Sequence, residues 1–181
     1  FCIIPQGRGL SKSVPMDTIL EKIRNLVNKG FKEIVLTGVD ITCWGSDIAG
    51  NDKLGDLVNN ILNETPDLPR LRLSSLDVSE MDDNLLHVFK TNKRMMPHLH
   101  LSLQSGNNLI LKRMKRRHSR EQAIDVCRNL KAARPEVTFG ADLIAGFPTE
   151  SDTMFLDTIK IVDECDISWP VSYTHLTLPT I

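Results

Sequence analysis

The stretch TFGADLIA, from Thr138 to Ala145, is followed at once by Gly146-Phe147-Pro148. Threonine, phenylalanine, leucine, isoleucine and small residues fill seven of the first eight positions, Asp142 is the one charged residue among them, and a glycine and a proline then close the run. This composition is typical of a buried β-strand that ends in a turn. Similar runs occur at residues 33–37, 70–74 and 98–103, and a final short strand is predicted near 167–171.

Amphipathic helical patterns lie between these predicted strands. Apolar residues recur at helical spacing from Ile19 to Val27, from Leu54 to Leu62 and from Leu85 to Phe89. A strand followed by a helix, four times over with short connections, predicts an α/β fold with a parallel sheet of right-handed βαβ units. A doubly wound sheet and a barrel give the same local pattern, so the residues alone leave both open.

Capping signals place the ends of several helices. Asp82 and Asp83 put carboxylates at the start of the third helix, where the helix dipole favours negative charge. Ser119 and Gln122 are spaced as a capping box for the helix that runs through Leu130. Thr149 and Asp152 are expected to cap the last helix.

Composition excludes several classes of protein. The 181 residues carry 22 Lys and Arg against 23 Asp and Glu, so any nucleic-acid contact must come from a local patch. No apolar stretch approaches the roughly 20 residues that span a bilayer, which favours a cytoplasmic protein without a membrane partner. The cysteines at 2, 43, 127 and 165 include no CxxC pair, and a chain with this much apolar content does not need a disulfide scaffold. The last three are expected to be small buried or half-buried thiols.

Polar residues follow each predicted strand. Ligands bind at the carboxyl ends of the strands in both parallel architectures, and glycine there lets a ligand approach the backbone. The segments Thr37–Asp40, Ser74–Asp77, Gln104–Gly106 and Ala145–Glu150 combine small residues with hydroxyls, amides or carboxylates. Four such segments favour a shared polar ligand over ordinary turns.

A basic run follows the third of these segments. Residues 112–118 read KRMKRRH, which places six cationic or titratable side chains in seven positions. Such a run suits the phosphate backbone of a nucleic acid, and the alternative is a solvated helix face. Its position directly after a strand end favours a functional patch.

An ordered series of segments resembles one known family. The segments are Cys2–Pro5, Leu36–Asp40, Leu71–Asp77, His100–Gly106, Leu111–His118 and Gly140–Pro148. Through them the chain resembles the radical S-adenosylmethionine methylthiotransferases from Phe1 to about Asp166. The resemblance implies a partial parallel (β/α)6 barrel, TIM-barrel-like, that begins after strand 1. We expect residues 1–171 to form this truncated core and 172–181 to be a tail of doubtful native origin.

The resemblance also implies a cofactor site. Cys2 matches the third cysteine of a C-x3-C-x2-C motif that binds a 4Fe–4S cluster; one cysteine is an incomplete ligand set, so we expect this chain alone to be inactive. A second 4Fe–4S cluster is expected in an amino-terminal domain outside this sequence. Binding of S-adenosyl-L-methionine is implied for Thr37, Gly38, Asp40, Ser75, Gln104, Asp142 and Gly146.

Within the family, Thr37-Gly38-Val39-Asp40 resembles the branch that inserts a methylthio group at C2 of N6-threonylcarbamoyladenosine at position 37 of tRNA. The expected partners are tRNA and a flavodoxin-like electron donor, with no DNA. Alternatives are methylthiotransferases for isopentenyladenosine tRNA or a ribosomal protein, and a non-catalytic nucleic-acid-binding α/β domain. Contacts with tRNA phosphates are expected from Lys112, Arg113, Lys115, Arg116 and Arg117.

Overall fold

The computed structural model describes residues 6–7 and 9–174. They form two compact units, each with its own core and strands. The amino-terminal unit comprises residues up to 76 together with 80–98, and the carboxy-terminal unit comprises 77–79 together with the chain from 99 onward. Cys2 and residues 175–181, including His175, lie outside the described residues. Among the helices described, none is both long and apolar enough to cross a bilayer.

The amino-terminal unit alternates helices and strands as the sequence predicts. Its strands β1 and β2 pair in parallel, with Ile34 opposite Leu71 and Leu36 opposite Leu73. In chain order the elements are α1 (Met16–Asn28), β1 (Glu33–Leu36), α2 (Leu54–Glu64), β2 (Arg70–Leu73), a single 3-10 turn (Val78–Glu80) and α3 (Asp83–Thr91).

The two faces of this strand pair differ in polarity. Leu71 and Leu73 are buried, whereas Arg70 and Arg72 point to the other face because successive side chains alternate along a strand. Both arginines donate to Glu33 on the neighbouring strand, at 2.8 and 2.9 Å. This pairing lowers the pKa of the Glu33 carboxyl through the hydrogen bonds from Arg72 and Arg70.

The carboxy-terminal unit contains a three-stranded sheet in the order β3–β4–β5. Strands β4 and β5 are parallel, with an irregularity in register between Phe139 and Gly140. Its elements are β3 (His98–Gln104), α4 (Asn108–Arg113), α5 (Arg120–Ala133), β4 (Thr138–Ala145), α6 (Asp152–Glu164) and β5 (Ile167–Thr174).

The predicted α/β class with parallel strands is confirmed, and most boundaries agree within two residues. Asp82 caps α3 by accepting from Leu85 N, and Ser119 with Gln122 forms the predicted capping box of α5. The predicted cap of the last helix is wrong, because Ser151 accepts the hydrogen bond from Met154 N. Thr149 instead has φ 72° and accepts from Arg113. Strand β5 also runs three residues beyond Val171.

A tight backbone contact joins the turn after β3 to α6. The amide of Gly106 donates to Thr158 Oγ1 at 3.0 Å, and the Ser105 hydroxyl lies 3.1 Å from the same atom. Arg120 Nη1 then donates to the carbonyls of Gly106 and Asp157, both at 2.7 Å. A Cβ at position 106 would stand 2.3 Å from the Asp157 carbonyl oxygen, so only glycine fits here.

Gly106→Ala should therefore destabilise the protein by about 2 kcal/mol or more, because overpacking against backbone forces a main-chain shift. Chemical denaturation measures the loss. The comparison variant is Gly30→Ala, where φ is +91° but no atom lies within 4 Å of the added Cβ. Only backbone strain of about 1 kcal/mol is expected there. Equal losses in the two variants would contradict the assignment of a steric contact.

Candidate functional site

Two predicted site segments leave the same edge of the β1–β2 pair. Thr37, Gly38 and Asp40 follow the last residue of β1, and Ser75 follows β2 by two residues. The amide of Ser74 donates to the Leu36 carbonyl at 2.9 Å, so the parallel pairing continues up to the point where both segments depart. All four predicted residues are exposed. The arrangement offers a ligand backbone groups, two hydroxyls and a carboxylate.

Asp40 is part of a small polar cluster that the sequence did not reveal. Thr42 Oγ1 lies 2.7 Å from Asp40 Oδ1 and 3.0 Å from Glu80 Oε2, so its single proton serves one carboxylate at a time. The thiol of Cys43 donates to the same Glu80 oxygen at 3.3 Å. Asp40, Cys43 and Glu80 each offer a ligand atom within 4.8 Å of the others, a set able to hold a divalent cation.

Polar atoms without partners stand near two of the strand ends. Within the described residues, the buried hydroxyl of Ser74 and one carboxylate oxygen of Glu150 have no hydrogen-bond partner. The other Glu150 oxygen accepts from the amide of Gly146 at 2.8 Å. Gly146 has φ 74° and nothing within 4 Å of an added Cβ, so its backbone is open to a ligand. Buried polar groups are normally satisfied, so each of these atoms, in its own unit, has capacity to bond a polar ligand.

The polar face of β3 carries a histidine–carboxylate pair. Leu99, Leu101 and Leu103 are buried on one face, whereas His100 points to the other face and its Nε2 lies 3.1 Å from Asp142 Oδ1 on β4. Gly140 makes this approach possible, since a Cβ there would stand 2.7 Å from His100 Nδ1. The predicted cofactor residue Asp142 is thus held by a strand neighbour.

Gln104 ends β3 in an unusual backbone conformation. Its φ of 65° lies in the left-handed region, which residues with a side chain rarely occupy. Such strain costs on the order of 1–3 kcal/mol and concentrates at ligand sites. Lys115, Thr149 and Asp166 share this conformation, and Gln104 is the one among these four that the resemblance had assigned to the cofactor.

Asp77 anchors part of the basic run. Its Oδ2 accepts from Arg116 Nη2 at 2.8 Å, and its Oδ1 lies 3.5 Å from His118 Nδ1. Arg116 also donates to the Ser102 carbonyl at 2.8 Å, and His118 Nε2 lies 3.2 Å from the Leu103 carbonyl. The histidine is 4% exposed, so this network ties residues 116–118 to β3 from inside the unit.

The remaining cations of the run are placed differently. Arg113 donates to the carbonyl and the hydroxyl of Thr149, which links α4 to the loop after β4. Lys112, Lys115 and Arg117 are exposed, and Lys115 has φ 56°. Four of the five predicted RNA-contact residues, Lys112, Arg113, Lys115 and Arg117, are thus exposed, and the half-buried Arg116 is held by Asp77.

Asp77→Asn should cost about 2 kcal/mol at neutral pH, because the Arg116 guanidinium loses its charged partner in a mostly buried setting. Burial alone would raise the pKa of Asp77, but hydrogen bonds from His118 and Ser79 and the charge of Arg116 outweigh it and lower the pKa. Because the pKa of Asp77 is lower in the folded state than in the unfolded state, the ionised carboxylate stabilises the fold at pH values above the unfolded-state pKa. This contribution is lost as the pH falls.

The difference in unfolding free energy between wild type and Asp77→Asn should therefore stay constant near neutrality and shrink below about pH 4. Urea denaturation across the pH range measures it. A difference that grew on acidification would contradict the assignment.

Two cysteines that are 38 positions apart in the sequence meet inside the carboxy-terminal unit. Cys127 on α5 and Cys165 after α6 are buried and hydrogen-bonded to each other. The pKa of Cys127 is raised, because the neighbouring thiol and burial both favour its protonated form. The prediction of buried or half-buried thiols is confirmed for these two and for Cys43.

The profile of the radical SAM superfamily matches residues 1–162. The chain belongs to the radical SAM superfamily. Solved structures share its fold at low identity: the radical S-adenosylmethionine methyltransferase TsrM from Kitasatospora setae gives a TM-score of 0.70 at 15% identity, covering 94% of this chain and 32% of that one. Streptococcus suis SuiB gives 0.61 at 10%, covering 93% and 36%. These likenesses support the partial radical SAM barrel as the fold.

Curated relatives within this superfamily are tRNA-modifying enzymes. The threonylcarbamoyladenosine tRNA methylthiotransferase MtaB of Rickettsia prowazekii is 50% identical over 169 residues, which cover 93% of this chain and 40% of the relative. The MtaB of Aquifex aeolicus is 38% identical, with 97% and 41% covered. The tRNA-2-methylthio-N(6)-dimethylallyladenosine synthase of Shouchella clausii is 37% identical, with 99% and 34% covered. The radical SAM chain described here spans 34–41% of the length of these relatives.

Proposed function

We propose that the protein containing this chain is a methylthiotransferase that modifies N6-threonylcarbamoyladenosine in tRNA. The observation that carries the proposal is the 50% identity to an MtaB, against 37% to a dimethylallyladenosine synthase. The segment Thr37–Asp40 supports the same branch through its resemblance, and it lies at the strand edge where ligands bind in parallel folds. A tRNA substrate places the enzyme in the cytoplasm, with a flavodoxin-like protein as electron donor.

The residues present suit S-adenosyl-L-methionine. When bound and reduced by an adjacent iron–sulfur cluster, this cofactor supplies a carbon-centred radical for hydrogen abstraction. The Ser74 hydroxyl and Glu150 carboxylate have unfilled hydrogen-bonding capacity, and the open backbone at Gly146 admits a close approach. We assign cofactor binding to Thr37, Gly38, Asp40, Ser75, Gln104, Asp142 and Gly146. His100 Nε2, 3.1 Å from Asp142 Oδ1, holds this carboxylate in place.

Cluster binding requires Cys2, which lies outside the described residues. We propose that the intact protein supplies two further cysteines to complete the C-x3-C-x2-C motif, and a second cluster in another domain. Thiolate ligands suit iron–sulfur clusters.

The proposal assigns contact with tRNA phosphates to the basic run. Arg113 and Arg116 are hydrogen-bonded within the unit, so they contribute charge while holding the run in place. The exposed Lys112 and Lys115 are then the first side chains for direct contact, and Arg117 adds exposed charge beside them. A loop nucleoside can be splayed out of its stack into a pocket, which suits modification beside an anticodon.

The intact protein, purified anaerobically and reconstituted with iron and sulfide, should add a methylthio group to tRNA that bears N6-threonylcarbamoyladenosine. Mass spectrometry of nucleosides after digestion measures the product. Parallel reactions with isopentenyladenosine tRNA and with ribosomal protein test the alternatives. Product on either alternative and none on the first substrate would overturn the assignment. A protein that takes up no iron would favour the non-catalytic alternative.

Reversing two exposed charges, Lys112→Glu together with Lys115→Glu, should weaken tRNA binding and flatten its salt dependence. The slope of log K against log salt is negative, and each lost phosphate contact makes it shallower by roughly 0.9 for duplex nucleic acid. Filter binding at several salt concentrations measures the slope. Unchanged affinity and slope would remove the basic run from the proposal.

A further inference from the structure

A surface cleft with a cationic lining lies between α4 and the start of α5. Its volume is about 380 Å³, and its cations are Lys112, Arg116 and Arg117. The other lining residues include His118 and the amide side chains of Asn108 and Gln122, and no carboxylate is among the lining residues, all of which the structure describes. Cationic side chains with no carboxylate in the lining make the cleft suited to an anion.

The amino terminus of α5 is already capped, so it is not the ligand site by itself. Ser119 Oγ accepts from Gln122 N, and Asn108 Oδ1 accepts from Arg120 N at 2.8 Å. Two acids contact lining residues without lining the cleft: Asp77 accepts from Arg116 Nη2 at 2.8 Å, and Glu121 accepts from Asn108 Nδ2 at 3.0 Å. The helix dipole still adds positive potential at this end.

Two donors in the cleft remain for a ligand. Lys112 makes no side-chain hydrogen bond or ion pair within residues 6–7 and 9–174, and its ammonium carries three donors. Gln122 uses its Oε1 to accept from Ser119 N at 2.8 Å, which leaves the side-chain NH2 to donate. Asp77 and Ser102 accept from Arg116 Nη2, so they hold this guanidinium in the lining while the Asp77 carboxylate offsets part of its charge.

We propose that this cleft is a phosphodiester-binding site, in which Lys112 and Gln122 hold one backbone phosphate of an RNA. The choice of RNA rests on the proposed function. A tetrahedral anion with several acceptor oxygens matches an ammonium, an amide donor and nearby guanidinium charge. Lys115 belongs to the same run and is also exposed, but it does not line the cleft.

Lys112→Gln and Gln122→Glu test the site, and Lys115→Gln is the matched control. Glutamate at position 122 keeps the capping box, because Glu serves in the same way as Gln there, but it adds a negative charge to the cleft. Circular dichroism should show all three variants folded. A loss of binding can then be attributed to the cleft.

The probes are synthetic anticodon stem-loop RNAs, each with a single neutral methylphosphonate linkage at a 2′-deoxy nucleotide. The reference for each probe is the same RNA with an ordinary phosphodiester at that deoxy nucleotide. In the intact wild-type protein, one linkage should cost about tenfold in affinity when neutralised, as expected for a charged hydrogen bond. That cost should fall below about twofold in Lys112→Gln and Gln122→Glu, and it should persist in Lys115→Gln. The site would be overturned if neutralising the linkage reduced the affinity of Lys112→Gln as much as that of wild type. It would also be overturned if Lys115→Gln became as insensitive to the neutralised linkage as Lys112→Gln.

A second arm separates this inference from the proposed function. In inorganic phosphate, the melting temperatures of wild type and Lys115→Gln should be higher than in sodium chloride of equal ionic strength. The melting temperature of Lys112→Gln should be the same in the two salts. If wild type binds no stem-loop, the tRNA proposal and the RNA source fail together. A phosphate effect that depends on Lys112 then still supports an anion cleft, and its absence overturns the cleft as well.

Discussion

On β3 the buried side chains Leu99, Leu101 and Leu103 alternate with the half-buried His100, Ser102 and Gln104. A strand turns each successive side chain to the opposite face, so one residue of slippage would bury the polar set and expose the leucines. The hydrophobic core therefore fixes which side chains are presented on the other face. The His100–Asp142 pair depends on the same alternation, and Gly140 on the adjacent strand leaves it room.

Desolvation decides which cations of the basic run are structural. Arg116 and Asp77 are mostly buried, with side chains 21% and 16% exposed, and an ion pair there is screened little by water. Lys112 and Lys115 are exposed and remain available to a polyanion. Charges that look equivalent in the sequence thus serve different purposes. The buried pair holds the backbone in position, and the exposed ammonium groups provide the long-range field.

Sequence patterns predicted the strands because alternation and β-branched runs are local, and they predicted the Ser119 capping box because its two members are three residues apart. The last cap was wrong because Thr149 and Ser151 both have cap chemistry, and only the backbone angle at Thr149 separates them. Contacts between distant positions gave no signal. Glu80 lies 37 residues from Cys43, and no spacing rule joins them. The same holds for Cys127 with Cys165, and for the internal hydrogen bonds of Arg113 and Arg116.

The contact between Ser105 and Thr158 closes a loop of 53 residues around α4, α5 and β4. The chain must give up the entropy of closing that loop before Gly106 can meet the backbone of α6, and this cost grows slowly with loop length. Contacts of such high sequence separation slow folding. Residues 105 and 106 should thus be ordered late, after the helices between them and α6 have formed locally. A newly synthesised chain can make this closure only once α6 has left the ribosome.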